Sequence, residues 1–135
     1  MGICGYIREV DKAKLIEVLD TFCSGFARRD PEAVLRVCAP DIDLVVVTSE
    51  VPLLRGPAEL RRFLEGYAAG ETTYSWEWDR HDASFSGQVA WLLAEGTEIA
   101  TSGDQVVRHP YRMTMVLEQR NGAWLLRQVH GSSPH

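Results

Sequence analysis

Two charged residues stand in stretches that are otherwise apolar, and they are the first candidates for chemistry. Glu95 ends the alternating run VAWLLAE that begins at Val89, and Arg127 lies between Leu125 and Val129. A carboxylate on the apolar face of a sheet has its pKa raised by desolvation and lowered by a nearby cation. We predict that Glu95 transfers a proton and that Arg127 holds a developing oxyanion. The alternative is a buried ion pair that only holds sheet geometry.

A set of large side chains is predicted to contact a ligand. Aromatic rings stack on planar or hydrophobic molecules, and methionine suits an adaptable apolar pocket. Packing in the core or at an interface is the alternative role for the same residue types. The predicted ligand-binding residues are Trp76, Trp78, Trp91, Tyr111, Met113 and Met115.

Histidines and cysteines suggest no further site. His81 and Asp82 are neighbours in a predicted strand, where successive side chains point to opposite faces, so they would pair only across a bulge. His109 precedes a proline at a strand entrance and is predicted to lie at the pocket rim. We find no set of metal ligands at the usual spacing and no phosphate-binding glycine loop, so we expect no metal and no cofactor.

Composition limits the class of protein. The 135 residues fit one domain, 1–135, and the net charge of -5 without a basic cluster argues against nucleic-acid binding. No apolar run approaches the roughly 20 residues of a membrane span. Cys4, Cys23 and Cys38 are odd in number and share no metal-type spacing, which indicates small buried residues in a reduced compartment. We therefore expect a cytoplasmic protein.

The periodicity predicts helices followed by strands. Three-and-four spacing of apolar residues indicates a helix over 8–29, and Asp30 and Pro31 suit the start of a second, which Pro40 ends. Residues 42–48 read as a strand, 49–56 as a loop or short edge strand, and 57–70 as a third helix. From Thr73 the period changes to two, with turns near 86–87, 101–104 and 121–122. This order is typical of an α+β fold with a mostly antiparallel sheet.

The closing hairpin has two possible registers, which place opposite faces inward. A two-residue turn at 121–122 would set Met115 opposite Gln128. A three-residue turn with a bulge at Gly122 would set Met115 opposite Arg127. Spacing alone leaves both open.

Three passages carry a resemblance to a known family: RRDPEAVLRVCAPD, LLRGPAELRRFL, and the spacing of Trp124, His130 and Ser132. With the element order, nearly the whole chain resembles the nuclear transport factor 2-like superfamily. Within it, the chain is most similar to the SnoaL-like group, which includes polyketide cyclases and ketosteroid isomerases. The resemblance implies a cone, in which a bent, cystatin-like sheet wraps the N-terminal helices and leaves a pocket open at one end. It also favours the bulged register, with Arg127 and Leu125 inside the cone and Trp124, Leu126 and His130 outside.

The resemblance also implies a function. We expect a pocket for a small hydrophobic or aromatic molecule, and a cofactor-free isomerase, cyclase or hydratase if the protein is an enzyme. The alternative is a non-catalytic ligand-binding or dimeric interaction module. The catalytic base and tyrosine of ketosteroid isomerases align with Val46 and Phe22, which cannot do that chemistry. An apolar patch of Trp124, Leu126 and His130 on the outer sheet face would be covered by a second subunit, so we predict a homodimer.

Overall fold

One six-stranded sheet curls around the N-terminal helices. The computed structural model describes the backbone of residues 2–134 and the side chains of residues 9–134. In that range the elements are α1 Gly2–Ala27, α2 Pro31–Arg36, β1 Val45–Thr48, β2 Leu54–Arg55, α3 Gly56–Ala69, β3 Thr72–Ser86, β4 Val89–Ser102, β5 Gln105–Arg120 and β6 Ala123–Ser132. The sheet order is β2-β1-β6-β5-β4-β3, so β2 and β3 remain open edges. The predicted α+β class is confirmed.

The helical part follows the sequence closely. Asp30 accepts a hydrogen bond from the amide of Ala33 at 3.3 Å, and Pro31 occupies the first turn, as predicted for the start of α2. α2 ends at Arg36, before Pro40. None of the described helices is long and apolar enough to cross a membrane. The buried stripe of α1 recurs at three- and four-residue intervals and contains Leu15, Val18, Leu19, Phe22, Cys23 and Phe26.

The two cysteines with described side chains behave as small hydrophobic residues. Cys23 and Cys38 are buried, and burial raises the pKa of each thiol to about 12. Such thiols are poor nucleophiles at neutral pH. Cys4 lies outside the residues whose side chains the structure describes.

The short strand β1 joins the two-residue edge strand β2 to the rest of the sheet. It pairs in parallel with β6 and antiparallel with β2, whereas all other neighbours are antiparallel. Residues 49–56 thus contain the short edge strand that the sequence left open. β1 begins at Val45, three residues later than predicted, because a turn closes with the Leu44 amide on the Asp41 carbonyl at 3.1 Å.

The closing hairpin takes neither of the predicted registers. Asn121 and Gly122 form a two-residue turn with φ of 52° and 82°, as a type I′ turn requires. A bulge then follows within β6, because Val116 pairs with Gln128 and Leu117 pairs with Leu126, which leaves Arg127 without a partner residue. Met115 consequently lies opposite Val129.

The two-residue turn overturns the predicted faces of the first part of β6, and the bulge after it brings Val129 back to the inner face. Trp124 and Leu126 are buried with Val129, whereas Leu125 is partly exposed and Arg127 points outward. The predicted arrangement, with Leu125 and Arg127 inside and Trp124 and Leu126 outside, is therefore wrong. A one-residue irregularity reverses the facing of every residue on one side of it, and the sequence carries no glycine or proline to mark this one.

A second bulge bends β3 against β4. Trp78 pairs with Gly96 and Arg80 pairs with Glu95, which leaves Asp79 as the extra residue. A Cβ atom at Gly96 would lie 2.0 Å from the Glu77 carbonyl oxygen, so only glycine permits this close approach. The bend occurs next to the row of residues that forms the polar end of the cavity described below.

Candidate functional site

A cavity of about 200 Å³ lies between the helices and the concave face of the sheet. Its wall is mainly aromatic and aliphatic, with polar groups concentrated at β1, β4 and β5. A site of this kind, apolar with a few convergent polar groups, is the usual form of a small-molecule pocket. The lining residues are Phe22, Phe26, Val46, Thr48, Glu50, Val51, Phe63, Tyr67, Tyr74, Trp76, Glu98, Tyr111 and Met113.

The strand register creates the polar end of the cavity. Trp76 on β3 pairs with Glu98 on β4, and Glu98 pairs with His109 on β5. Directly opposite residues point to the same face of a sheet, so the three side chains form one row across three strands. The indole Nε1 of Trp76 donates to Glu98 Oε2 at 3.1 Å, and His109 Nε2 lies 3.0 Å from Glu98 Oε1.

Glu98 is the one buried charged residue among the described side chains, with 1% of its surface exposed. Its Oε2 is satisfied by Trp76, but no described donor is aligned for a hydrogen bond on Oε1. Burial raises the pKa of Glu98 to about 8, and the neighbouring carboxylate of Glu50 contributes in the same direction. The carboxyl group is therefore largely protonated at neutral pH.

Glu50 reaches the cavity through a turn built by Thr48. The Thr48 hydroxyl accepts the amide hydrogens of Glu50 and Val51, at 3.1 and 2.9 Å. The same hydroxyl donates to Glu50 Oε2 at 3.2 Å. A side chain that hydrogen-bonds its own loop in this way fixes a turn without regular secondary structure. The sequence Thr-Ser-Glu-Val thereby positions the Glu50 carboxylate.

Tyr111 connects Glu50 to the floor of the cavity. Its hydroxyl donates to Glu50 Oε2 at 3.2 Å, and its side chain is almost fully buried. Burial, followed by the charges of Glu50 and Glu98, raises the pKa of Tyr111 well above its usual value, so the phenol stays a donor. Gly131 makes room for it, since a Cβ there would lie 2.4 Å from the hydroxyl oxygen.

The helical side of the cavity is fixed by Tyr67. Its hydroxyl donates to the Phe26 carbonyl at 2.8 Å and accepts from the Tyr74 amide at 2.9 Å. Burial raises the pKa of both tyrosines. These contacts tie α1, α3 and β3 together at one wall of the cavity.

The polar end also has the donor atoms of a metal site. Glu50, Glu98 and His109 each offer one ligand atom, and these atoms lie within 4.8 Å of one another. Carboxylate and imidazole groups suit zinc, iron and manganese. Two carboxylates and one imidazole could thus hold a divalent cation, which the ligand spacing in the sequence did not suggest.

The two residues predicted to be catalytic lie outside the cavity. Glu95 is 33% exposed and contacts Arg80 and Arg112 at 3.3 and 3.1 Å on the outer sheet face. Arg127 is 46% exposed, with Asp43 and Glu118 at 3.8 and 3.7 Å. Their predicted placement inside the cone is wrong. For Arg127 the cause is the two-residue turn, which points Leu126 inward and its neighbour Arg127 outward. Glu95 and Arg127 do not pair with each other. Each forms ion pairs with other residues at the protein surface.

The predicted ligand-binding residues divide into two groups. Trp76, Tyr111 and Met113 line the cavity. Met115 is buried deeper in the core, outside the cavity lining, and Trp78 stacks on Trp76 at a centroid distance of 6.4 Å without lining it. Trp91 is 49% exposed on the outer face of β4, so its predicted contact with a ligand in the cone is not supported by its position.

The sequence interpretation missed Glu98 and Glu50. The inner face of β4 carries mostly small residues, and the bulky Val89 and Trp91 lie on the outer face. The inner-face residues are Ala90, Leu92, Ala94, Gly96 and Glu98. Small residues on one face of a strand signal close packing against another layer, and that pattern would have predicted Glu98. His109 does lie beside the cavity, in contact with Glu98.

The positions aligned with the ketosteroid isomerase residues do belong to this site. Val46 and Phe22 both line the cavity. The apolar side chains at both positions offer neither a base nor a hydroxyl donor for isomerase chemistry of that kind.

Comparison with known proteins identifies the family. The sequence profile of the SnoaL-like domain matches residues 15–135. No curated protein sequence matches the chain. Similar solved structures include a candidate dehydratase of the nuclear transport factor 2-like family from Streptomyces avermitilis. It is 16% identical to this chain and has a TM-score of 0.84, and the match covers 94% of this chain and 98% of that chain.

Two further structures support the same fold. A candidate scytalone dehydratase from Novosphingobium aromaticivorans is 12% identical, covers 93% of this chain and 85% of its own, and has a TM-score of 0.80. A nuclear transport factor 2-like superfamily protein from Salmonella enterica serovar Typhimurium is 17% identical, covers 94% and 93%, and has a TM-score of 0.83. At these identities the likeness shows the fold alone. The chain belongs to the SnoaL-like domain family, and it has the fold of the nuclear transport factor 2-like structures.

Proposed function

We propose that this protein binds a small hydrophobic molecule in the cavity and catalyses a proton transfer on it, with Glu98 as the acid and Glu50 as the base. The observation that carries this proposal is the buried Glu98 carboxyl, which faces an apolar cavity with one oxygen free of hydrogen bonds. A carboxyl group in such a place is costly for stability and is typical of catalytic sites.

The cavity sets the size of the ligand. A dry apolar cavity of about 150 Å³ accommodates one benzene molecule. The 200 Å³ here fits a single six-membered ring with one or two small substituents. Multi-ring substrates such as steroids are too large for the cavity in this shape.

The chemistry that suits the site is dehydration or isomerisation without a cofactor. In the dehydration of a β-hydroxy ketone, a base removes the proton next to the carbonyl, the carbon–carbon double bond forms, and the hydroxyl leaves as water with a proton from an acid. Glu98 supplies the proton, the Glu50 carboxylate accepts one, and Tyr111 is placed to stabilise charge on an oxygen. His109, with 32% of its side chain exposed, connects Glu98 to solvent. The dehydratase names of two structural neighbours agree with this reaction class.

A second candidate is a carrier or sensor that binds without chemistry. The apolar Val46 and Phe22 at the two positions that carry isomerase catalysis favour it. In this case Glu98 would only orient the ligand by hydrogen bonding.

Two measurements separate these candidates. Trp76 lines the cavity, so a bound single-ring ketone is expected to change tryptophan fluorescence. Turnover of single-ring β-hydroxy ketones, followed by nuclear magnetic resonance in D2O, is expected to be lost in Glu98→Gln and kept in Glu65→Gln, an exposed residue on α3. Binding without turnover in the unmodified protein would support the carrier, and the absence of any binding would contradict both.

We also propose that the protein forms a homodimer through its outer sheet face, although by different residues from those predicted. Trp124 and Leu126 are buried and cannot form the patch. Trp91 and Val116, paired across β4 and β5, present apolar surface on the outer face beside Leu93. Sedimentation is expected to show a dimer at micromolar concentration that Trp91→Glu dissociates.

A further inference from the structure

We propose that the ligand of this cavity is a small organic cation, with an ammonium group attached to an aromatic or aliphatic body. This inference rests on the proposed function only in taking the cavity as a small-molecule site, and it adds the charge of the molecule. It follows from the charges, the free oxygen and the rings of the wall.

The charged groups of the wall have one sign. Glu50 and Glu98 line the cavity, and among the described residues no lysine or arginine does. Arg29 lies 5.8 Å from the centroid of the Tyr67 ring, and its guanidinium is held by Thr73 Oγ1 at 2.8 Å and by the carbonyl oxygen of Gly70 at 2.6 Å. An ammonium group is attracted to this acidic end, whereas an anionic ligand would be repelled by the Glu50 carboxylate.

The carboxyl group of Glu98 has an acceptor to spare. Trp76 satisfies Oε2, whereas Oε1 is buried, with His109 Nε2 at 3.0 Å but not aligned for a hydrogen bond. Glu50 is already held from the protein side, because Thr48 and Tyr111 both donate to its Oε2. These supporting contacts orient both carboxyl groups, so the remaining acceptor is available for an N–H donor of the ligand.

The rest of the wall suits the same class of molecule. Seven of the thirteen lining residues are aromatic, including Tyr67, Tyr74 and Trp76. Cations are attracted to the faces of aromatic rings, and aromatic cages are a common way to bind alkylammonium groups. A bare metal ion would use only the carboxyl end, whereas an organic cation uses the carboxyl end and the rings together.

The test compares three ligands that share one ring and differ in charge: benzylammonium, benzyl alcohol and benzoate. Each is titrated into the full chain while the indole resonances of the tryptophans are followed by nuclear magnetic resonance. We expect benzylammonium to bind roughly tenfold more tightly than benzyl alcohol, as a charge-assisted hydrogen bond plus ring contacts predicts, and benzoate to bind most weakly. Glu50→Gln, which removes the charge of that carboxylate, is expected to abolish this preference, and Glu65→Gln is expected to keep it.

Equal affinities for the amine and the alcohol, or tighter binding of benzoate, would overturn the proposal. A stoichiometric divalent metal detected by mass spectrometry and lost in Glu98→Gln would also overturn it, because the metal would then neutralise the carboxyl pair. The result is independent of catalysis: turnover of neutral ketones without amine preference refutes this inference alone. Amine preference without turnover refutes only the proton-transfer role.

Discussion

Glu98→Gln should change how the stability of the protein depends on pH. The substitution keeps the size of the side chain and its acceptor for the Trp76 indole, and it removes the titrating proton. Burial raises the pKa of Glu98 from 4.5 to about 8. The folded state therefore holds a proton that the unfolded state has lost throughout the pH range between these two values.

The sign and size of the effect follow from this proton. The stabilisation from Glu98 is fully present below pH 4.5 and is lost as pH rises through about 8. A single proton changes the free energy of unfolding by at most about 1.4 kcal/mol per pH unit. Between pH 5.5 and 7.5 we expect the unmodified protein to lose about 2 kcal/mol of unfolding free energy relative to Glu98→Gln. This is below the maximum slope, because the folded and unfolded states differ by less than one bound proton at both ends of this range.

Urea unfolding of both proteins at half-unit pH steps measures this difference directly. Glu50, His109, Tyr111, Tyr67 and Tyr74 all face the Glu98 carboxyl from neighbouring elements. His109→Asn in both backgrounds separates the titration of the imidazole from that of the carboxyl. A stability difference that stays constant from pH 5.5 to 7.5 in both backgrounds would show that Glu98 is ionised in the folded protein and refute the reasoning.

Three other substitutions test the structure. Gly131→Ala places a Cβ 2.4 Å from the Tyr111 hydroxyl, so it is expected to cost about 1–3 kcal/mol in urea unfolding and to weaken ligand binding, because the phenol must leave Glu50. An unchanged fluorescence titration would contradict this. Asp30→Ala removes the cap of α2 and should cost about 1 kcal/mol, whereas Asp30→Asn should cost little. Arg127→Gln breaks exposed ion pairs, so it should change stability by less than about 1 kcal/mol and leave binding unchanged, and a large binding defect would restore its predicted role.

The sequence predicted the elements better than the faces. The helix start at Asp30, the long strands and the turn at 121–122 depend on local features: a cap, a period and an Asn-Gly pair. The facing of β6 depends on the length of the turn at 121–122 and on a bulge at Arg127, which no local residue type marks. An error of one residue in register then moved a cation from the surface to the interior of the predicted site.

The candidate site was harder to predict because its members come from separate parts of the chain. Glu98 and Tyr111 become neighbours of Glu50 only when β1 pairs in parallel with β6. Tyr111 was predicted from its residue type, and His109 from its place before a proline, but their carboxylate partners depend on long-range contacts. Glu95 was chosen because its strand face contains larger apolar residues, although the smaller residues of the other face pack against the core.

The same packing explains why the chemistry is at Glu98. Ala94 and Gly96 bring β4 close to the core, and the bulge at Asp79 bends β3 so that Trp76 and Glu98 lie side by side. The indole can then satisfy one carboxyl oxygen and leave the other facing the cavity. A fully satisfied carboxyl would be a structural hydrogen bond, and an unsupported one would destabilise the fold. One oxygen held and one oxygen free is the arrangement expected of a group that must stay in place and still act on a ligand.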